Sequence, residues 1–312
     1  MMLQIILKRL LIMVVKFLIL TIIVFTFGTA VCMSREFCFI YETPTPASYW
    51  RWITAGLIHG DFGLTMVQGW AVLPTPVLEM IGLRLPNTLR LLGLTLILVY
   101  GLGIPLGIMS GRYSEKVRGR LIQGIGILGV SIPPFVLSMF FLRHFALRNG
   151  WFPWRGSLPI GMEREAVSFV TYQLTLLHHL ILPALSMALV MLVIPMKYLA
   201  SSILKVKNEI YVILARAKGA SERRLIKRHI LKNANTSLIS SIPLQIASII
   251  SASIIIEELF ALPGIARLFF QSFVYSEIEL MKAIILLLGG IVLIVSFITD
   301  TVLVLKNPQL TK

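Results

Sequence analysis

The sequence is 312 residues long, 57% hydrophobic and only 14% charged, with a mean hydropathy of +0.87 and a net charge of +15. A soluble domain carries about 25% charged residues and shows a polar face along most of its helices; here the charges are segregated and leave long uncharged runs, which argues against a soluble helical bundle. The basic excess fits nucleic acid or an anionic membrane surface, and no RNA-binding or zinc-finger signature favours the first.

Six apolar runs approach the ~20 residues that a bilayer core requires. The first covers 10–31, preceded by Lys8 and Arg9. Gly28-Thr29-Ala30 resembles a cleavage site, but the run exceeds the ~7–15 residues of a signal-peptide core. A retained helix is therefore expected, with Lys16 reaching back to the interface. Cys32 and Cys38 follow, too few to form a disulfide framework. The second run, 87–110, carries Gly101, Gly103, Pro105 and Gly107. The third, 121–145, contains Ser131-Ile132-Pro133-Pro134, and the fourth, 177–197, holds Pro183 and Pro195. The fifth, 236–257, contains Pro243, and the sixth is 283–305. Such residues suit helices that kink and pack closely in a membrane, although they are also commoner there. The expected fold is all-α with about six transmembrane helices. Residues 1–84 would form a first helix with an extracytoplasmic segment, and 85–306 a membrane domain with a cytoplasmic loop at 198–235. No internal repeat is evident, which disfavours a transporter built from inverted repeats.

Charge sets the expected orientation. If both termini are cytoplasmic, the inner segments hold 18 basic residues against three acids, Glu115, Glu209 and Glu222. The outer segments hold fewer basic residues, roughly balanced by acids. Lysine and arginine collect on the cytoplasmic side of membrane proteins, so this orientation is preferred.

The most basic loop has its own pattern. Ile210, Leu214 and Ala217 share one face of a short helix, with Ile213 alongside. Gly219 stands where a helix end favours a left-handed residue. Ser221 is placed to cap a second helix and Glu222 to suit its positive N-terminus. Leu225, Ile226 and Ile230 then give an apolar stripe beside Arg223, Arg224, Lys227 and Arg228. A basic amphipathic helix of this kind either lies on anionic lipid or docks on a partner.

The same residues carry a resemblance. "YVILARAKGASERRLIKRHILKNA", Tyr211–Ala234, resembles the coupling loop of inner-membrane permeases of ABC importers, nearest the oligopeptide, dipeptide and nickel group. Ala215, Arg216, Ala217, Lys218, Gly219, Arg228, His229, Leu231, Asn233 and Ala234 fit that group's pattern. The general importer motif has Glu and Ala where this chain has Ile213 and Leu214, a departure usual in the peptide branch. Further pieces occur in family order: "GDFGLT" (Gly60–Thr65), "RLPNTLRLLGLTL" (Arg84–Leu96), "GIPLGIMSG" (Gly103–Gly111) and "GVSIPPFVLSMFF" (Gly129–Phe141). They continue with "GWFPWRG" (Gly150–Gly156), "HLILPALSMAL" (His179–Leu189) and "IIIEELFALPGIARLFFQSF" (Ile254–Phe273), where Leu262 replaces the usual aromatic.

The resemblance implies a type I importer permease in a bacterial cytoplasmic (inner) membrane, with no catalytic residues. The coupling loop, including Ser221 and Glu222, would sit in a groove of a separate ATP-binding subunit. A second, similar permease chain and an extracytoplasmic binding protein would complete the complex. No cofactor is expected on this chain, because ATP and Mg would belong to the partner. In agreement, no Gly-x-x-x-x-Gly-Lys-Ser/Thr is present to cradle phosphates. Peptides are the implied substrate, with nickel or haem as the alternative. "WITAGLIHGDFGLT" (Trp52–Thr65) is similar to the branch associated with antimicrobial peptides.

Glu257 and Glu258 end the fifth run, as an outer-mouth rim or as a solvated helix end, the second preferred. Asp300 is expected at the cytoplasmic interface near Lys306. His178 and His179 lack metal-ligand spacing and are expected at the outer interface. Arg90 either snorkels outward or faces a pore. A gradient-driven transporter would need ionisable groups near mid-membrane, and Lys16 and Asp300 lie too near the ends. A membrane-embedded enzyme would show a motif such as His-Glu-x-x-His, which is absent.

Overall fold

The computed structural model describes residues 2–33, 45–66, 74–158, 167–221, 225 and 231–306. Cys38, Glu222, Arg228 and His229 lie outside these residues, as does nearly all of the helix expected after Ser221. The elements in chain order are α1 (Met2–Met33), α2 (Pro46–His59), β1 (Leu64–Thr65), β2 (Thr75–Pro76), α3 (Val77–Arg112), α4 (Val117–Ser131) and α5 (Pro134–Phe141). A π-helical segment, Leu142–Arg148, follows. Then come α6 (Phe169–Met191), α7 (Val193–Lys207), α8 (Ile210–Ala217), α9 (Leu231–Leu259), α10 (Ile265–Val274) and α11 (Ile278–Lys306). The fold is all-α apart from the two-residue antiparallel ladder of β1 and β2, registered Leu64 opposite Pro76.

Among the described residues, five helical stretches are long and apolar enough to cross a membrane: Gln4–Ala30, Val77–Arg112, Phe169–Lys207, Thr236–Leu259 and Ile278–Lys306. The third expected run, 121–145, is divided. Pro133 and Pro134 lack the N–H groups a continuous helix needs, and a residue before proline is pushed out of the helical region. Ile132 is accordingly extended (φ −94°, ψ 119°), and Pro134 starts α5 at a first-turn position that tolerates proline. The fourth run also differs, because the helix continues past 197 to Lys207.

The chain forms two compact units. One is built mainly from Met1–Arg90 and Ser253–Thr301, the other from Leu91–Ala252 and Val302–Leu310. In the second unit, the glycines of "GIPLGIMSG" explain the packing of α3 on α7. Gly103, Gly107 and Gly111 recur every four residues and so share one face. A Cβ at Gly103 would lie 2.9 Å from Leu192 O, one at Gly107 2.9 Å from Met196 O, and one at Gly111 2.8 Å from Ile203 Cβ. Small residues at this spacing let two membrane helices approach at backbone distance. Nearby, Ser138 Oγ and Ser186 Oγ are 2.6 Å apart, joining α5 to α6 inside an apolar environment.

In the first unit, Val77, Met80 and Ile81 of α3 pack with Ile265 and Leu268 of α10 and with Leu280, Ala283 and Ile284 of α11. Lys282 is buried beside them at 2% exposure. Its Nζ donates to Glu279 Oε1 at 2.6 Å and sits 4.9 Å from the Trp52 ring centroid and 5.5 Å from that of Phe25. Trp52 Nε1 donates to the other Glu279 oxygen at 3.0 Å. A buried ammonium needs a carboxylate and benefits from aromatic faces, and this arrangement fastens α1, α2 and α11 together. Arg9 Nη1 and Asp300 Oδ2 are 3.4 Å apart at the start of α1 and the end of α11. Asp300 thus has its ionic partner in Arg9.

Candidate functional site

The loop between α7 and α9 is built in steps. Lys207, the last residue of α7, donates to Glu115 Oε1 at 3.0 Å and so ties the α3–α4 connection to this loop. That hydrogen bond and the ammonium's charge hold the exposed Glu115 carboxyl below its usual range. Glu209 then starts α8, its carbonyl accepting from Val212 N and Ile213 N. Val212 is fully buried and anchors the helix. Ile210, Ile213 and Leu214 are 75%, 50% and 56% exposed, and Ala217 is exposed too. The face read from the sequence is therefore presented outward, an apolar stripe left uncovered by the described residues.

The turn after α8 follows a defined helix-ending pattern. Gly219 has φ +83°. Its N–H donates to Arg216 O at 2.9 Å and the Ala220 N–H to Ala215 O at 3.1 Å. These are the paired bonds that close a helix through a left-handed residue and satisfy its last carbonyls. Ser221 O then accepts from Leu225 N at 3.0 Å, the bond an N-cap carbonyl makes to a new helix. Leu225 is fully buried. Ala215, Arg216, Ala217, Lys218 and Gly219 thus form one helix end, and Ser221 begins the next turn. Asn233 lies in the first turn of α9.

The motifs around Glu257 converge elsewhere, in the first unit. Glu257 is 1% exposed, so it is not on a solvated helix end as expected. Its carboxylate accepts from Thr88 Oγ1 at 2.7 Å and from Arg267 N at 2.9 Å. Thr88 Oγ1 in turn accepts from Ile265 N at 2.7 Å. Gly264 precedes α10, and a Cβ there would overlap the Glu257 carboxylate. Asn87 Nδ2 donates to Pro263 O at 2.9 Å and Asn87 Oδ1 accepts from the exposed Arg90 at 3.1 Å. "PNT" of α3 and "EELFALPGIAR", which runs from the last turn of α9 into α10, are therefore one structure, in which Thr88 and Glu257 satisfy free N–H groups at the start of α10. Glu258 is more exposed and pairs with Arg267 Nε at 3.1 Å. The sequence reading missed this cap because its partners are far apart in the chain. It missed the buried Lys282 as well, although Glu279 three residues earlier was a usable signal.

The two histidines hold a loop. His178 Nε2 donates to Trp151 O at 3.0 Å and His179 Nδ1 to Gly156 O at 2.9 Å, fixing "GWFPWRG" against α6.

Residues 103–312 match the family model of the binding-protein-dependent transport system inner membrane component. The chain belongs to this family. Its members are transport components of the inner membrane rather than catalysts, in keeping with the apolar helices described above. The oligopeptide transport system permease protein AppB of Bacillus subtilis is 31% identical over 269 residues, covering 86% of this chain and 81% of that one. The glutathione transport system permease protein GsiC of Shigella flexneri is 28% identical, covering 86% and 80%. The putrescine export system permease protein SapB of Escherichia coli is 26% identical, covering 97% and 95%. Among solved structures, an inward-facing methionine ABC transporter, MetNI, matches with TM-score 0.55 at 14% identity, over 73% of this chain and 97% of the other. That likeness concerns the fold: this is an ABC importer permease architecture.

Proposed function

We propose that this permease forms one half of the translocation path of an ATP-driven importer of peptides. The observation that carries the reading is α8 with its Gly219 turn: an uncovered apolar face on a rigidly ended helix, in the position where importer permeases carry their coupling loop. Ala215, Arg216, Ala217, Lys218, Gly219 and Ser221 would form the docked segment, continued by Glu222, Arg228, His229 and Asn233. The partner is an ATP-binding subunit, which supplies the ATP and Mg chemistry. A second permease chain and an extracytoplasmic binding protein complete the complex. Peptide as substrate is supported by relatives named for oligopeptide and glutathione transport.

The loop would lie in the cytoplasm with both termini. The Arg9–Asp300 pair supports placing the start of α1 and the end of α11 on one side. With the broken segment from α4 through Arg148 counted as a crossing, the total is six. Glu258 is the better of the two acids for an outer-mouth role, because Glu257 is committed to α10. A second reading, a polyamine substrate, is favoured only by the match to a relative named for putrescine export. The docking reading is tested by Leu214→Cys in the assembled complex. A short bismaleimide should join it to a cysteine in the ATP-binding subunit's groove, and a cysteine at Trp151 should not react. Absence of any α8 cross-link while the complex remains assembled would overturn it.

A further inference from the structure

α7 continues to Lys207, so Lys197 lies ten residues, about 15 Å at ~1.5 Å per residue, inside the end of the helix. The Phe169–Lys207 stretch is 39 residues long, well beyond the ~20 a bilayer core needs, so Lys197, which is exposed, belongs to the inner end of the helix, where a cation can face the mouth of a path. Among the described residues, Lys197 has no salt-bridge partner. It lines a cavity of about 600 Å³ together with Ser110 of α3, Gln123 of α4, Tyr198 and Ser201 of α7, and Leu244 of α9. Among the described residues no acid lines this cavity, and the rest of its wall is apolar. Ser110 is fully buried and its Oγ has no hydrogen-bond partner among the described residues. Ser201 is already committed, donating to Tyr198 O at 3.0 Å. The uncommitted polar groups are one cation, two hydroxyls and one amide.

That set is complementary to a carboxylate attached to a small, partly apolar body. The volume falls within the ~300–1,000 Å³ of small-molecule sites. We infer that this cavity is a transit site for the C-terminal carboxylate of the transported peptide, held by Lys197 Nζ with Ser110 and Tyr198 hydroxyls. The inference rests on the peptide reading given above and sharpens it. A polyamine, cationic at every amine, is repelled from the same wall. Affinity has to be weak, because a group bound on a path must also leave it.

The test uses the purified complex in phosphatidylcholine nanodiscs. Amines are acetylated with sulfo-NHS-acetate, and Lys197 and Lys218 are quantified by mass spectrometry. Trialanine and trialanine amide are each added at roughly 10 mM, above the millimolar dissociation constant suited to transit. Trialanine should lower acetylation of Lys197 at least fivefold, the amide should not, and Lys218 should be unchanged by either. Equal protection by acid and amide, or by neither, overturns the site. Protection without peptide in phosphatidylglycerol nanodiscs assigns Lys197 to lipid and also overturns it. In proteoliposomes, Lys197→Met should lower trialanine uptake about tenfold while binding-protein-stimulated ATP hydrolysis stays within twofold, with Lys197→Arg restoring uptake. Unchanged uptake in Lys197→Met contradicts the proposal. If ATP-driven peptide uptake fails but acid-specific protection persists, the site stands and the substrate reading falls.

Discussion

Replacing Thr88 with valine keeps the side-chain shape and deletes one oxygen. That oxygen donates to the buried Glu257 carboxylate at 2.7 Å and accepts from Ile265 N at 2.7 Å. Both partners then lose a bond in a place water does not reach, since Thr88 and Glu257 are each 1% exposed. A buried polar group left without its partner costs about 1–3 kcal/mol. Glu257 keeps its bond from Arg267 N, so the two losses together come to about 3 kcal/mol. For a chain of this size that corresponds to a fall in thermal midpoint of roughly 5 °C or somewhat more. Thr88→Ser keeps both bonds and loses one buried methyl, worth about 1 kcal/mol. Tryptophan fluorescence of the detergent-solubilised protein during heating reads both. A valine variant within ~1 °C of wild type on this scale, or less affected than serine, would refute the capping role.

Gly219→Val places a β-branched residue at φ +83°, where a non-glycine residue pays roughly 1–2 kcal/mol, although its Cβ meets no described atom within 4 Å. It should insert at normal abundance, lose transport and retain less ATP-binding subunit on purification; normal transport would count against the turn's role. Lys282→Met leaves Glu279 without its buried ammonium and should destabilise by about 3–5 kcal/mol, whereas adding Glu279→Gln should recover part of that; no difference between single and double variants in thermal midpoint would contradict the ion-pair account. Cysteines placed near Lys207–Lys218 should resist an impermeant maleimide added outside, and one at Arg155 should react. Labelling of the basic loop from outside would invert the proposed orientation.

Much of the helical layout was legible because lipid imposes long apolar runs, and five of the six runs lie within helical stretches of spanning length. The exception was legible too, since Pro133-Pro134 lies in the middle of its run. Helix α7 extends beyond the apolar run that ends at 197, and its Leu199 and Ile203 pack against Gly107 and Gly111. The Gly219 turn was readable because it is local: a helix end, one glycine and a capping serine follow each other in sequence. The Thr88–Glu257–Ile265 cap and the Lys282 box were not, because each depends on residues more than 150 positions apart. Amphipathic helix α2 escaped notice for a related reason. Its Trp52 makes sense only against Phe25 of α1 and Glu279 of α11.

Energy coupling separates an ATP-driven importer from a gradient-driven transporter. The complete complex, reconstituted in proteoliposomes and supplied with its binding protein outside and ATP on the side of the ATP-binding subunits, should accumulate labelled trialanine, and should stop when ATP is withdrawn or hydrolysis is blocked. Accumulation that persists without ATP but collapses with a proton or sodium ionophore, or no accumulation with every component present, would contradict it.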